Sequence, residues 1–178
     1  MNIQDIELSR SSIVYYTDDD GNSREAATLF NDGNCIWIES NEIAPIMKEA
    51  IVCIEDERFY EHNGVDIKRT GGAVIGYVLE KIGLGNKSYG GSTITQQTIK
   101  NITNEKDRTV LRKVKEMMRA VAIEKQLSKD EILTLYLNVV FFANNCYGIE
   151  AASNMYFDKP ASELNIEEAA LIAGITQR

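Results

Sequence analysis

Histidine is almost missing from this chain: His62 is the only one in 178 residues. A His-rich metal site is thereby excluded, and a hydrolytic triad could draw on that one imidazole alone. Cysteine is scarce too. Cys35, Cys53 and Cys146 are odd in number and widely spaced, which fits neither a disulfide framework nor zinc-ligand spacing and leaves buried free thiols as the default. No apolar run is long enough to span a bilayer, and no signal peptide is recognisable. If the natural protein is anchored to a membrane, the anchor is expected outside this chain. Cationic charge is in deficit, with 19 Lys and Arg against 27 Asp and Glu and a net charge of −8. That argues against a general nucleic-acid binder. Internal repeats and low-complexity segments are absent as well.

What remains is ordinary for a globular fold: 44% apolar and 26% charged residues, in a length that predicts one domain over 1–178 with a real core. The charge is unevenly spread. Residues 105–129 hold eight Lys and Arg against four Asp and Glu, a local excess of positive charge on an acidic protein. Such a patch suggests a specific compact anion more than a nonspecific polyanion.

Residues 1–40 read as a small β lead-in, with strands at 12–16 and 35–38 and a strong turn signal at Asp18–Asn22. Ser40 or Asn41 is expected to cap the next helix, with Pro45 in its first turn. Residues 66–82 read as a helix with an unusually broad apolar face, suited either to a core or to lipid. Gly83, Gly85, Gly90 and Gly91 mark a flexible loop leading to a helix from Ser92 or Thr93. Further helices are expected over 109–127, 129–142, 147–156 and 166–174. Ser128 and Glu131 form a capping box at the start of one of them.

Three segments could carry chemistry. Glu55 to Gly64 packs four carboxylates and the sole histidine into ten residues behind an apolar helical run. Glu55 follows Ile51, Val52 and Ile54, so it is expected at the rim of an apolar pocket, where desolvation favours a general base. For His62 a structural role, fixing the following turn, is the preferred reading over catalysis. Gly90 to Asn101 joins a glycine pair to hydroxyl and amide side chains at a helix start, where free amides attract anions. Ser92, Gln96 and Lys100 recur every four residues and would share one face; an amide-rich exposed helix is the alternative. This is no Walker-type loop. In the third segment, Arg108, Arg112, Lys115 and Arg119 fall in one narrow helical stripe. Val110, Leu111, Val114, Met117, Met118 and Val121 lie opposite, and Glu116 sits beside the cations. Such a stripe is either a solvated face with an Arg112–Glu116 pair or a site for phosphate or pyrophosphate.

Taken together, these motifs make the chain resemble the peptidoglycan glycosyltransferases (family 51 glycosyltransferases), the glycan-polymerising domain of class A penicillin-binding proteins and monofunctional polymerases. Five motifs stand in order. They are Glu55, Asp56, Phe59, His62 and Gly64; Gly90, Ser92, Thr93, Ile94, Gln96, Gln97, Lys100 and Asn101; Arg112, Lys113 and Glu116; Lys129, Ile132, Leu133, Tyr136, Leu137 and Asn138; and Glu168 to Gly174. The chain departs from the family at Phe141-Phe142-Ala143, where Tyr-Phe-Gly is usual, and at Asp158, where the Tyr-Phe-Gly-Lys run has glycine.

The resemblance implies a mainly α, lysozyme-like helical lobe with a smaller membrane-touching lobe that would include residues 66–91. It also implies polymerisation of lipid II into β-1,4 glycan, with inversion and release of undecaprenyl pyrophosphate. Glu55 would take the proton from the acceptor's 4-hydroxyl. Lys100 and Arg108 would hold the donor pyrophosphate, helped by Arg112 and Lys113. Ser92, Thr93, Gln96, Gln97 and Asn101 would bind sugar and phosphate oxygens. Glu116 would orient the donor or hold Mg²⁺ or Mn²⁺; no obligatory cofactor is implied. The implied partners are lipid II, the nascent glycan, the membrane surface, moenomycin-type inhibitors and, in a longer parent, a C-terminal transpeptidase domain. The implied place is the extracytoplasmic face of a bacterial plasma membrane. A lysozyme-like hydrolase and a catalytically silent lipid II-binding module are the competing readings.

Overall fold

The computed structural model describes residues 12–17, 23–29, 34–72, 91–103 and 109–176. It is mainly helical, in keeping with a lysozyme-like fold, and divides into two compact units: the chain up to Met47 together with Leu137 onward, and Lys48–Tyr136. The expected glycine loop at 83–90 and the helical stretch 73–82 lie outside the described residues.

In the first unit the β lead-in is present. Strands β1 (Ser12–Thr17) and β2 (Ser23–Leu29) pair antiparallel, with Ala26 bulged out between Val14↔Ala27 and Tyr15↔Glu25. The strand expected at 35–38 shortens to β3 (Asn34–Cys35), which pairs in parallel with β4 (Cys146–Tyr147). Beyond Cys35 the chain is held by a side chain instead of a strand. Asn138 accepts from Ile38 N–H at 2.9 Å and donates to Ile38 C=O at 2.9 Å, so one amide does the work of a neighbouring strand. Gly148 has φ 85, and a Cβ there would meet Asn138 O at 2.7 Å, so only glycine fits. Ser40–Glu42 forms a 3-10 turn, and the first long helix, α1 (Pro45–Glu55), starts at Pro45 itself. The expected cap at Ser40 or Asn41 therefore fails, because those residues are used by the preceding turn.

The second unit holds most of α1, a helical segment α2 described over residues 67–72, then α3 (Ile94–Thr103), α4 (Val110–Ile123) and the larger part of α5 (Lys129–Val139). Its core includes Ile51, Phe59, Ile94, Ile99, Ala120, Ile132 and Leu133. Ser128 and Glu131 form the expected box before α5, with Glu131 Oε2 accepting from Ser128 N–H at 2.7 Å. The chain ends in α6 (Ile149–Phe157) and α7 (Ile166–Ile175), which belong to the first unit.

α4 reverses the usual inside-out order. Its buried residues are Glu116, Ala120 and Ile123, while Val110, Leu111, Val114, Met118 and Val121 are exposed. The apolar side of this helix faces away from the core, and the side carrying Arg112, Lys113 and Glu116 faces inward.

Candidate active site

Glu55 is the last residue of α1 and is 6% exposed. Gln97, one turn into α3, donates its Nε2–H to Glu55 Oε2 at 2.8 Å. Arg69 of α2 donates to the Glu55 main-chain oxygen. Three helices thus meet at Glu55, α3 at its carboxylate and α2 at its main-chain oxygen. Asp56, fully buried, completes the frame: its Oδ2 accepts from the Ile94 N–H at 3.0 Å and contacts His62 Nε2 at 2.9 Å, and its Oδ1 lies 3.8 Å from Arg69 Nη1. An aspartate accepting from the first amide of a helix is favoured by the unsatisfied donors and dipole there. It ties the start of α3 to the end of α1.

His62 plays the structural part expected of it. The Gly64 N–H donates to its Nδ1 at 3.2 Å, which leaves the ring proton on Nε2, facing Asp56. The turn it closes is tight. Gly64 has φ 89, and a Cβ would meet Ala120 O at 2.6 Å. Thr93 then donates to Gly64 O at 2.7 Å. Lys129 underpins the same turn, donating to His62 O at 2.6 Å and to Glu124 Oε1 at 2.7 Å while lying 4.4 Å from the Phe59 ring centroid.

Asp66 anchors Arg58 and caps α2. Burial opposes its charge, but the Arg69 N–H at 3.0 Å and the Arg58 guanidinium at 2.7 Å outweigh that and hold its carboxyl below the usual range.

The second cluster surrounds Glu116, 3% exposed on α4. Arg112 Nη1 lies 2.6 Å from Glu116 Oε2, and Lys113 contacts Oε1 while also donating to Ser92 Oγ at 2.9 Å. Two cations against one carboxylate leave one net positive charge. The Arg112 Nε is buried with no hydrogen-bond partner among the described residues. These are donors suited to phosphate oxygens.

The expected ligand-facing row Ser92, Gln96, Lys100 does not form. α3 begins at Ile94, so Ser92 precedes it; Gln96 is fully buried and Lys100 is exposed. Gln96 instead accepts from Thr93 N–H at 3.0 Å, and Thr93 Oγ1 accepts from Gln96 N–H at 3.2 Å. This is a capping box, so Thr93 and Gln96 build the start of α3, and Gln96 Nε2 is buried without a hydrogen-bond partner among the described residues. Lys100 and Asn101 are exposed at the far end of α3. Arg108 lies outside the described residues. The cation stripe is likewise no uniform face, since Arg112 is turned to Glu116 and Lys115 is exposed.

Arg69 was not foreseen; the Asp66-x-x-Arg69 cap pattern was the signal available for its helix. Tyr136 was read only as a motif letter. Among the described residues there is no group of three His, Cys, Asp or Glu side chains that could hold a metal ion.

The family profile described as "Transglycosylase" matches residues 22–178 of the chain. Among curated relatives, penicillin-binding protein 1A of Clostridium perfringens (strain 13) is 43% identical over 99% of this chain and 26% of its own length. Penicillin-binding protein 1F of Bacillus subtilis is 44% identical over 88% of this chain and 21% of its own. Penicillin-binding protein 2D of B. subtilis is 39% identical over 96% and 23%. The chain therefore spans between 21% and 26% of the length of these relatives.

Proposed function

This chain belongs to the transglycosylase family, the glycosyltransferases of family 51, and from that premise we propose that it polymerises lipid II into β-1,4 glycan, releasing undecaprenyl pyrophosphate with inversion. The observation that carries the proposal is the buried Glu55 at the end of α1, with its carboxylate Oε2 on Gln97 of α3 and its main-chain oxygen on Arg69 of α2. A general base needs such fixed placement, because proton abstraction falls off steeply with misalignment.

The acceptor's 4-hydroxyl gives its proton to Glu55 as its oxygen attacks the donor's anomeric carbon from the face opposite the pyrophosphate. Pyrophosphate is already a good leaving group, so no acid need protonate it, unlike in a glycosidase. What it needs is positive charge. Arg112 and Lys113, kept in place by Glu116, supply it, together with Lys100 and Arg108. Ser92, through Lys113, and Asn101 are the remaining polar groups assigned to the substrate, while Gln97 serves the base. Moenomycin-type inhibitors, which mimic the donor, would compete for the same groups.

A divalent cation fits the described residues poorly. Both oxygens of Glu116 are engaged by Lys113 and Arg112, which already neutralise charge where Mg²⁺ or Mn²⁺ would act. No step here runs through a metal.

The enzyme would work at the extracytoplasmic face of the plasma membrane. Among the described residues no helix is long and apolar enough to cross a membrane. Surface contact is supported instead by the exposed Ile67, within the expected 66–91 region, and by the exposed apolar side of α4, flanked by the cations Lys115 and Lys125. The relatives' greater length makes a following transpeptidase domain part of this proposal.

The test is polymerisation of labelled lipid II in detergent, with products resolved by gel, for the natural chain beside Glu55→Gln. Polymer from the natural chain alone, with Glu55→Gln slower by roughly 10²–10⁴-fold, is the expected result. Substantial residual activity in the variant would move the base elsewhere. Soluble muropeptides released from polymer would favour the hydrolase.

A further inference from the structure

The last carbonyls of a helix find no N–H within it, and a cation beside them is favoured. Glu55 carries such a carbonyl at the end of α1, and Arg69 of α2 donates to it. The same Nη1 lies 3.8 Å from Asp56 Oδ1. That oxygen is buried with no hydrogen-bond partner among the described residues, while Asp56 Oδ2 already serves Ile94 and His62. A fully buried carboxylate needs a cation beside it, and Arg69 is placed to be one.

These contacts close a ring around Glu55. From its main-chain oxygen the path runs through Arg69 to Asp56, then to the Ile94 N–H that opens α3, and from Gln97 of α3 back to Glu55 Oε2. The ring grips Glu55 at its backbone and at its carboxylate, the two ends that set where a base points. α2 is braced in turn. Asp66 accepts from the Arg69 N–H at 3.0 Å and from Arg58 Nε at 2.9 Å, and Thr70 donates to Gly91 O at 3.3 Å. The Arg69 side chain is 28% exposed, so filling the core does not account for an arginine there. Lysine would keep the charge, but its compact ammonium lacks the planar fork that serves two oxygens at fixed angles.

We propose that Arg69 is a positioning residue for Glu55: its guanidinium joins the Glu55 main-chain oxygen to the buried Asp56 carboxylate, and so closes the ring that aims the base. The inference rests on the reading of Glu55 as the general base.

The experiment compares Arg69→Gln and Arg69→Lys with the natural chain. Arg69→Gln should lower the urea midpoint, because it strips the cation from Asp56, and Arg69→Lys should restore most of it. In lipid II polymerisation, counted per folded molecule, kcat should fall about tenfold in Arg69→Lys and up to about a hundredfold in Arg69→Gln. KM should change less than about twofold, as for a group acting in the chemical step. Added to Glu55→Gln, either change should lower the residual rate by less than about twofold, since it acts through that carboxylate. Full kcat per folded molecule in Arg69→Gln would overturn the proposal, as would kcat and urea midpoint recovering together in Arg69→Lys, because Arg69 would then serve stability alone. So would an undiminished loss in the Glu55→Gln background. Should the natural chain make no polymer, or Glu55→Gln polymerise freely, the reading of Glu55 fails on its own. The side-chain amide signal of Gln97 then decides: displaced in Arg69→Lys it upholds the ring, and unmoved it refutes it.

Discussion

Ala143 holds a left-handed backbone, φ 62, followed by Asn144 at 45 and Asn145 at 61. The two asparagines tolerate that region; alanine does not, and the strain is about 1–2 kcal/mol. This is one of the positions where the chain departs from the glycine of the family pattern, and a left-handed backbone stands here on a residue ill suited to it. Ala143→Gly relieves the strain but loosens the unfolded chain by about 0.4–1 kcal/mol. The expected result is a thermal midpoint raised by a few degrees, roughly 2–4 °C for a chain of this size. A lowered midpoint would mean that the methyl group packs better than its backbone suggests. Residue by residue, the candidate site was legible where local chemistry decided it. Glu55 behind an apolar run is buried as expected, His62 fixes the following turn, and Arg112 pairs with Glu116 one turn on. Thr93 and Gln96, expected to bind sugar and phosphate oxygens, form the capping box of α3, because a capping box and a polar binding face use the same side chains. Only the point where α3 begins separates them.

At the scale of elements, the helices from α4 to α7 were legible from periodicity and caps, with ends shifted by a few residues. β2 went unread because Ser23–Leu29 lacks alternation, and its pairing with β1 is a choice of partner that no single strand encodes. α4 was placed correctly, but which of its sides faces inward was left open between a solvated cation face and an anion site. The inward positions belong to the Arg112–Lys113–Glu116 cluster and to Ala120, whose backbone Gly64 approaches closely. The hydrophobic pattern alone does not set the orientation there. An exposed row of Val110, Leu111, Val114 and Met118 is a liability in water, and a lipid surface is the proposed reason it persists. Replacing Leu111 and Met118 together with Gln should weaken sedimentation with anionic vesicles by roughly tenfold, through lost apolar burial, and leave the urea midpoint unchanged. Undiminished vesicle binding would remove α4 from the membrane contact. A lowered midpoint would show that the face packs on the protein itself.

On the scale of the whole molecule, the division into two units was invisible in composition. Its boundaries, Met47/Lys48 and Tyr136/Leu137, fall inside α1 and α5 and not at a linker rich in proline or glycine. Helical periodicity runs straight through both. The charge distribution, by contrast, could be read directly, and it selects partners by size. Residues 105–129 are locally basic in a chain of net charge −8. Screening limits attraction to about 8–10 Å at ordinary ionic strength, so a compact anion at the Arg112–Lys113 cluster meets mainly its one net positive charge. A long polyanion runs onto acidic surface and is repelled. Inorganic pyrophosphate is therefore expected to bind, weakening several-fold as salt rises from about 0.05 M to about 0.5 M. Lys113→Ala should weaken it further and flatten that salt dependence. The same chain should pass through a heparin column at physiological salt. Retention on heparin, or pyrophosphate binding indifferent to Lys113→Ala, would contradict a patch built for a small, doubly bridged phosphate. It would also take from the proposed mechanism the positive charge that its leaving group requires.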